Sequence, residues 1–177
     1  HRRAFEDILP DEERPETRRS NNKARELYRS LTEEEKLDAI LHHELTGIKG
    51  LKSLVVDLQD APVIASIDAD SLKWINDEMG HEYGDDFLQA VADTLDSVTD
   101  RAYHKSGDEF YVLGETEAEV EAVIKQAQGM LDLAVITETK PDGTVVTIKG
   151  LNITHGIGAT KNEADTAMEQ EKLARAE

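Results

Sequence analysis

Two pairs of acidic residues could do chemistry in this sequence. Asp68 and Asp70 follow the run Ala61-Pro62-Val63-Ile64-Ala65-Ser66-Ile67, and Asp108-Glu109 come 40 residues later, after Ser106-Gly107. The first run is short, apolar and β-branched, and reads as a buried strand that ends at its carboxylates. The second pair sits on a turn between hairpin arms at residues 101–105 and 110–113, where Gly107 supplies the positive φ of a tight reversal. If the two strands are neighbours, the carboxylates converge. Hard oxygen ligands without histidine or thiolate suit Mg²⁺, which binds through one or two protein carboxylates and substrate phosphates. Acidic turns are also commonly just solvated, so spacing alone leaves both readings open.

Other metal motifs fail on spacing. Asp68-x-Asp70 opens like an EF-hand, but Leu72 and Lys73 replace its oxygen ligand and glycine, and Met79 replaces its bidentate glutamate. His43-Glu44 lacks the histidine of a zinc-protease helix, since Gly47 stands there. The chain has no cysteine, which removes disulfides, thiolate zinc sites, iron–sulfur clusters and cysteine nucleophiles.

At 177 residues, with 38% apolar and 33% charged positions, the chain can form one domain with a core and is too short for two. Its 20 Lys and Arg against 38 Asp and Glu give a formal charge of −18, which excludes a nucleic-acid groove and an anionic membrane surface. A phosphate ligand would need a metal escort. The charge is uneven: residues 1–30 hold eight basic against seven acidic residues, leaving 12 against 31 on the other 147. No apolar run nears the ~18 residues of a membrane span, and there is no secretory leader, so a cytoplasmic protein is expected. Opening on His1, the sequence is expected to be a piece of a longer protein fused to further domains.

The elements that must hold these carboxylates follow from periodicity. Residues 1–40 form a charged lead of short helices or linker, interrupted at Ser20-Asn21-Asn22, with a helix capped by Thr32 leading into the body. Leu72, Ile75 and Met79 predict a helix that stops at Gly80, and Phe87, Leu88, Val91 and Leu95 predict another from about Gly84. A third helix covers about 117–131. Residues 133–136, 144–148 and 151–157 read as strands, the first two joined through Pro141-Asp142-Gly143, and 164–176 as a final polar helix. The fold class is α+β, a central mostly antiparallel sheet surrounded by helices. Trp74 is expected in the core or an interface, and Glu78 and Glu82 in solvent.

The run from Asp68 to Asp85, Asp-Ala-Asp-Ser-Leu-Lys-Trp-Ile-Asn-Asp-Glu-Met-Gly-His-Glu-Tyr-Gly-Asp, followed by Ser106-Gly107-Asp108-Glu109-Phe110, resembles the GGDEF family of diguanylate cyclases. The likeness extends over about His43 to Lys172, with Leu45-Thr46-Gly47 at the family's opening motif, Gly156-Ile157-Gly158 at its Ser-Ile-Gly strand, and Ala164-Asp165 and Lys172 on its closing helix. It implies a GGDEF-like domain over 41–177, palm-like as in nucleotide cyclases, that converts two GTP to cyclic di-GMP at a homodimer interface with Mg²⁺ or Mn²⁺. Asp68, the Ala69 carbonyl, Asp108 and Glu109 would hold metal, with Asp108 and Glu109 catalytic. Asn76 and Asp85 would read guanine beside Leu72, and His81 would fix their loop. Ser106 and Gly107 would admit phosphates, whose charge Lys73 and Lys172 would neutralise.

The departures lie at both ends. Ser106 replaces the first hairpin glycine, His43 the opening aspartate, and Gly50-Leu51 the following Asn-Arg. Ser71 replaces the family's apolar Phe after the second aspartate, with Leu72 keeping the next position. Glu169 and Glu171 replace Tyr and Ala on the closing helix, and Arg175 is one place out of register. The product-inhibition motif Arg-x-x-Asp reads Ser97-Val98-Thr99-Asp100, so feedback by product is expected to be lost. The alternatives carried forward are a catalytically silent GTP-binding module and a cyclase that makes a different cyclic nucleotide.

Overall fold

A computed structural model of the chain describes residues 15–140 and 142–176. The lead segment before Pro15, and Pro141 of the expected turn, lie outside the described residues. Two compact units divide between Ala39 and Ile40. In the first, helix α1 (Pro15–Ser30) runs through Ser20-Asn21-Asn22 without the interruption expected there. Serine and asparagine cost only about 0.5 kcal/mol each against alanine in a helix, and neither forces a break as proline does. Helix α2 (Glu33–Leu41) starts on the expected cap. Thr32 Oγ1 accepts from the Glu35 N–H at 3.1 Å, and the Glu35 carboxylate accepts from the Thr32 N–H at 2.7 Å. Two otherwise orphaned donors are satisfied reciprocally.

The second unit runs α3 (Leu51–Asp57), a 3-10 turn (Leu58–Asp60), β1 (Val63–Ala69), α4 (Leu72–Met79), α5 (His81–Val98), β2 (Ala102–Ser106) and β3 (Glu109–Gly114). It continues with α6 (Glu117–Asp132), β4 (Val135–Thr139), β5 (Val145–Lys149), β6 (Ile153–Gly158) and α7 (Lys161–Ala176). The sheet has the order β2-β3-β1-β6 with every neighbouring pair antiparallel, while β4 and β5 pair only with each other. Helix α5 begins three residues before the expected Gly84, because Gly80, at φ +99°, both ends α4 and caps α5. Helix α7 begins at Lys161 and not at Ala164, where the Thr160 hydroxyl accepts from the Glu163 N–H. Trp74 is 55% exposed on α4 and is not a core residue.

Alternation along β1 sorts the site onto one face. Ala65, Ile67 and Ala69 pack with Phe87, Val91 and Leu95 of α5 and Ile124 and Leu131 of α6. Ile64 packs instead with Leu54 of α3, Tyr103, Tyr111 and Ala164 of α7. Because a strand has a period of two, Ser66 and Asp68 share the Ile64 face, which α7 covers. Two glycines of β6 let α7 come this close. A Cβ on Gly156 would lie 2.6 Å from the Ala164 carbonyl oxygen and collide with the Met168 backbone, and one on Gly158 would lie 2.7 Å from the Ala164 nitrogen.

Backbone cannot yield as a flexible side chain can, so Gly156→Ala is expected to destabilise the domain by about 2–3 kcal/mol. Gly129, inside α6, has open space where its Cβ would be, and Gly129→Ala should stabilise by about 0.5–1 kcal/mol through helix propensity alone. Urea unfolding of the two variants checks both signs.

Candidate functional site

Asp68, the last residue but one of β1, is buried opposite Glu109 of β3 on one side and Thr154 of β6 on the other. Its Oδ2 lies 3.0 Å from Lys172 Nζ, which α7 brings over the sheet. Burial pushes the Asp68 carboxyl up to about 6; the hydrogen bond from Lys172 works against this, and the charge of Asp108 adds to it. Burial alone would lower the Lys172 ammonium, but its hydrogen bond to Asp68 together with the charges of Asp68, Glu169 and Asp108 raises it. Asp70 is also raised by burial, against its bond with Thr154 and the charge of Arg175. The Thr154 hydroxyl lies 2.7 and 2.8 Å from the two Asp70 oxygens, and Arg175 Nη1 lies 3.4 Å from Oδ2.

The hairpin supplies the facing wall. The register shifts between His104 and Ser106, leaving only Gly107 and Asp108 between the paired Ser106 and Glu109. Gly107 takes φ +50°, which a residue with a Cβ rarely adopts. The Ala69 N–H donates to the Asp108 carbonyl at 2.9 Å, tying the turn to the end of β1. Ser106 Oγ donates to Glu109 Oε2 at 3.0 Å, and Lys105 Nζ lies 3.4 Å from the same oxygen.

Helices α4 and α5 carry the second group. Asn76 is half-buried against Gly84, where a Cβ would overlap the Asn76 amide and sit 3.2 Å from Leu72 Cδ1. Gly84 therefore sets how closely α5 passes Leu72 and Asn76. Lys73, His81 and Asp85 are exposed on the same helix pair, as are Glu78 and Glu82. The structure thus gathers Asp68, Ala69, Ser106, Gly107, Asp108, Glu109 and Lys172 at one end of the sheet, and Leu72 with Asn76 on the α4–α5 pair.

Thr154, Arg175 and Lys105 were not among the expected site residues. Thr154 is legible in hindsight from alternation, since buried β6 residues Thr154 and Gly156 face α7 as Asp68 does. Arg175 follows from helical spacing, three residues after Lys172. A cleft of about 430 Å³ lined by Ile124, Gln128, Gly129 and Ile153 opens elsewhere, along α6, and shares only Arg175 with the acidic group.

Among the described residues, no three acidic or histidine side chains form a ready-made metal cage. The donors are nonetheless of one kind: the Asp68, Asp108 and Glu109 carboxylates and the Ala69 carbonyl are hard oxygens. A buried carboxyl raised to about 6, with Asp108 contributing, is a place where added positive charge is favourable. The set fits a divalent ion that takes the rest of its shell from phosphates.

The diguanylate cyclase GGDEF-domain model matches residues 49–177. The chain belongs to the GGDEF diguanylate cyclase family. Among solved GGDEF structures, the diguanylate cyclase SiaD of Pseudomonas aeruginosa, in complex with its activator SiaC, is similar at 20% identity and TM-score 0.65, over 90% of this chain and 68% of that one. A sensory box/GGDEF protein of Caulobacter crescentus is similar at 24% identity and TM-score 0.61, over 76% and 99%. The DgcB GGDEF domain of the same organism, solved in complex with c-di-GMP, matches at 19% identity and TM-score 0.61, over 76% and 85%. At these identities the likeness is one of fold. Among curated proteins none matches this sequence closely enough to count as a relative. No helix of the described residues is long and apolar enough to cross a membrane.

Asp68 of this GGDEF domain binds its proton more tightly folded than unfolded, so through this group stability falls as pH rises from about 4 through about 6. In metal-free buffer, wild type should lose stability relative to Asp68→Asn across that interval, and the difference should level off above it. Urea midpoints from pH 4 to 8 read this, and a constant difference would show an ordinary carboxyl.

Proposed function

We propose that this domain is a diguanylate cyclase. Each of two GTP molecules attacks the α-phosphate of the other with its 3′-hydroxyl, so that two P–O bonds form, two break, and two pyrophosphates leave with cyclic di-GMP. The observation that carries this reading is the buried Asp68 carboxylate set against the Asp108-Glu109 turn with Lys172 over it. Asp68, the Ala69 carbonyl, Asp108 and Glu109 would hold Mg²⁺ or Mn²⁺, which when bound polarises the α-phosphate and acidifies the attacking hydroxyl. Lys172, released from Asp68, and Lys73 neutralise β/γ-phosphate charge. Gly107 lets backbone N–H groups approach the phosphates. Asn76 and Asp85 read guanine, because a carboxylate accepts from N1–H and the exocyclic amine together, a donor pair adenine lacks. Each domain holds one GTP, so the active species is a homodimer.

A second reading, a silent GTP-binding module, is favoured by one observation: Lys105 and Ser106 engage the same Glu109 oxygen. A third, a cyclase making another cyclic nucleotide, is distinguished by product alone.

Incubation with Mg²⁺ and GTP should yield cyclic di-GMP, with a rate that rises faster than linearly with protein below the dimer dissociation constant. Glu109→Gln should abolish turnover with the fold intact. GTP binding without any cyclic product at high protein concentration, with Mg²⁺ or Mn²⁺, establishes the silent module. In calorimetry, GTP should bind roughly ten- to a hundredfold more tightly than ATP, since an Asp85 carboxylate facing adenine goes unpaired. Binding should disappear with chelator and in Asp68→Ala, and equal strength without metal would refute the role of Asp68.

A further inference from the structure

The Leu45-Thr46-Gly47 motif and the residue two places before Ser106 have no part in the chemistry above, yet the structure joins them. His104 is a fully buried polar side chain of β2, stacked between the His43 ring at 3.7 Å and the Phe110 ring at 4.2 Å. Its Nε2 lies 2.8 Å from the Gly107 carbonyl oxygen and its Nδ1 lies 2.9 Å from Thr46 Oγ1. A carbonyl only accepts, so the proton is on Nε2. The other nitrogen then accepts from the Thr46 hydroxyl, which fixes the tautomer. Burial and the neighbouring His43 lower the ring's pKa to about 4, against the bond to Gly107, in keeping with a neutral imidazole.

Thr46 is itself held. Gln89 of α5 donates to the Thr46 carbonyl at 3.0 Å, and the loop is closed by the His43 N–H on Ile48 O and the Gly47 N–H on His43 O, both at 2.8 Å. The His104 N–H donates to Lys49 O at 2.8 Å, binding the loop to β2. A continuous hydrogen-bonded path therefore runs from α5 through Thr46 and His104 to the turn.

We propose that His104, oriented by Thr46, is a positioning residue that sets the plane of the Gly107–Asp108 peptide. In a trans peptide the carbonyl and the next N–H point in opposite directions. Holding the Gly107 carbonyl against His104 turns the Asp108 N–H outward, on the side from which phosphates approach. The claim rests on the nucleotide-binding reading for its consequence, but not for its geometry.

The test uses His104→Phe, which keeps a ring between His43 and Phe110 and loses both hydrogen bonds. Thr46→Val, which loses only the hydroxyl, serves as a second variant should the first fold poorly. His104→Gln can still donate to the Gly107 carbonyl. In wild type, nitrogen NMR of the labelled ring should show a pyrrole-type Nε2 and a pyridine-type Nδ1; a charged ring or a proton on Nδ1 overturns the proposal. The Gly107 and Asp108 amide signals should shift or broaden in His104→Phe and return in His104→Gln. Unchanged amides in His104→Phe overturn it. Mg²⁺-dependent GTP binding should weaken about tenfold in His104→Phe, measured below its melting temperature, with the GTP-to-ATP ratio unchanged and recovery in His104→Gln. A purely structural role would lower melting without moving these readouts. If wild type binds no guanine nucleotide, the cyclase reading fails, and the amide signals alone decide the positioning claim.

Discussion

A carboxylate buried at the end of the middle strand, with an ammonium laid on it from the facing helix, sets the terms for the rest of this domain. Burying the Asp68 charge alone would cost several kcal/mol, and removing either partner would leave the other stranded. The pair therefore requires α7 to lie close along β6, and Gly156 and Gly158 make that possible by having no side chains to hold it off. Tyr111 completes the seating from the sheet: its hydroxyl donates to Asp165 Oδ1 at 2.8 Å, and Lys161 Nζ lies 2.6 Å from Oδ2. Asp165 and Lys172 are seven residues apart, two helical turns, so anchoring one aims the other.

Three of the acidic groups at the sheet end have a cation against them: Lys172 on Asp68, Arg175 on Asp70 and Lys105 on Glu109. In a chain of net charge −18 these are local exceptions to a repulsive field. In the proposed reading they would make ligand entry an exchange and not an addition. Under the proposed cyclase reading, a divalent ion arriving at Asp68 would displace an ammonium, which would then be free to meet the phosphate that accompanies the metal. The same lysine can thus serve the empty and the loaded site, in keeping with a protein that has few basic residues to use.

The elements around the carboxylates were legible because their signals are local and strong. The strand ending at Asp68, the helix stopping at Gly80 and the glycine turn at 107 depend on periods and φ angles that neighbouring residues dictate. The boundaries that moved belong to places where two signals overlap, as at Gly80, which ends one helix and caps the next. The pairing of β4 with β5 alone was not legible, since both strands alternate as sheet strands do and only tertiary placement keeps them apart. At the site, Asp68, Asp108, Glu109 and Lys172 could be named from spacing and family likeness. His104 could not, because a lone buried histidine carries no pattern, and its partner Thr46 lies 58 residues away.

The turn also explains why serine can stand at 106, where the family resemblance implies a first hairpin glycine. Gly107 takes φ +50° and Ser71 +69°, and Ser71 is the one non-glycine residue with a positive φ among those described. Ser106 does not take a positive φ. It lies on the strand side of the register shift, where a Cβ costs nothing in the backbone, and its hydroxyl holds Glu109. The conformational requirement falls on the second glycine, which this chain keeps. The exchange at 106 therefore changes what touches Glu109 and leaves the path of the turn alone, so its consequence lies in the freedom of that carboxylate and not in the fold.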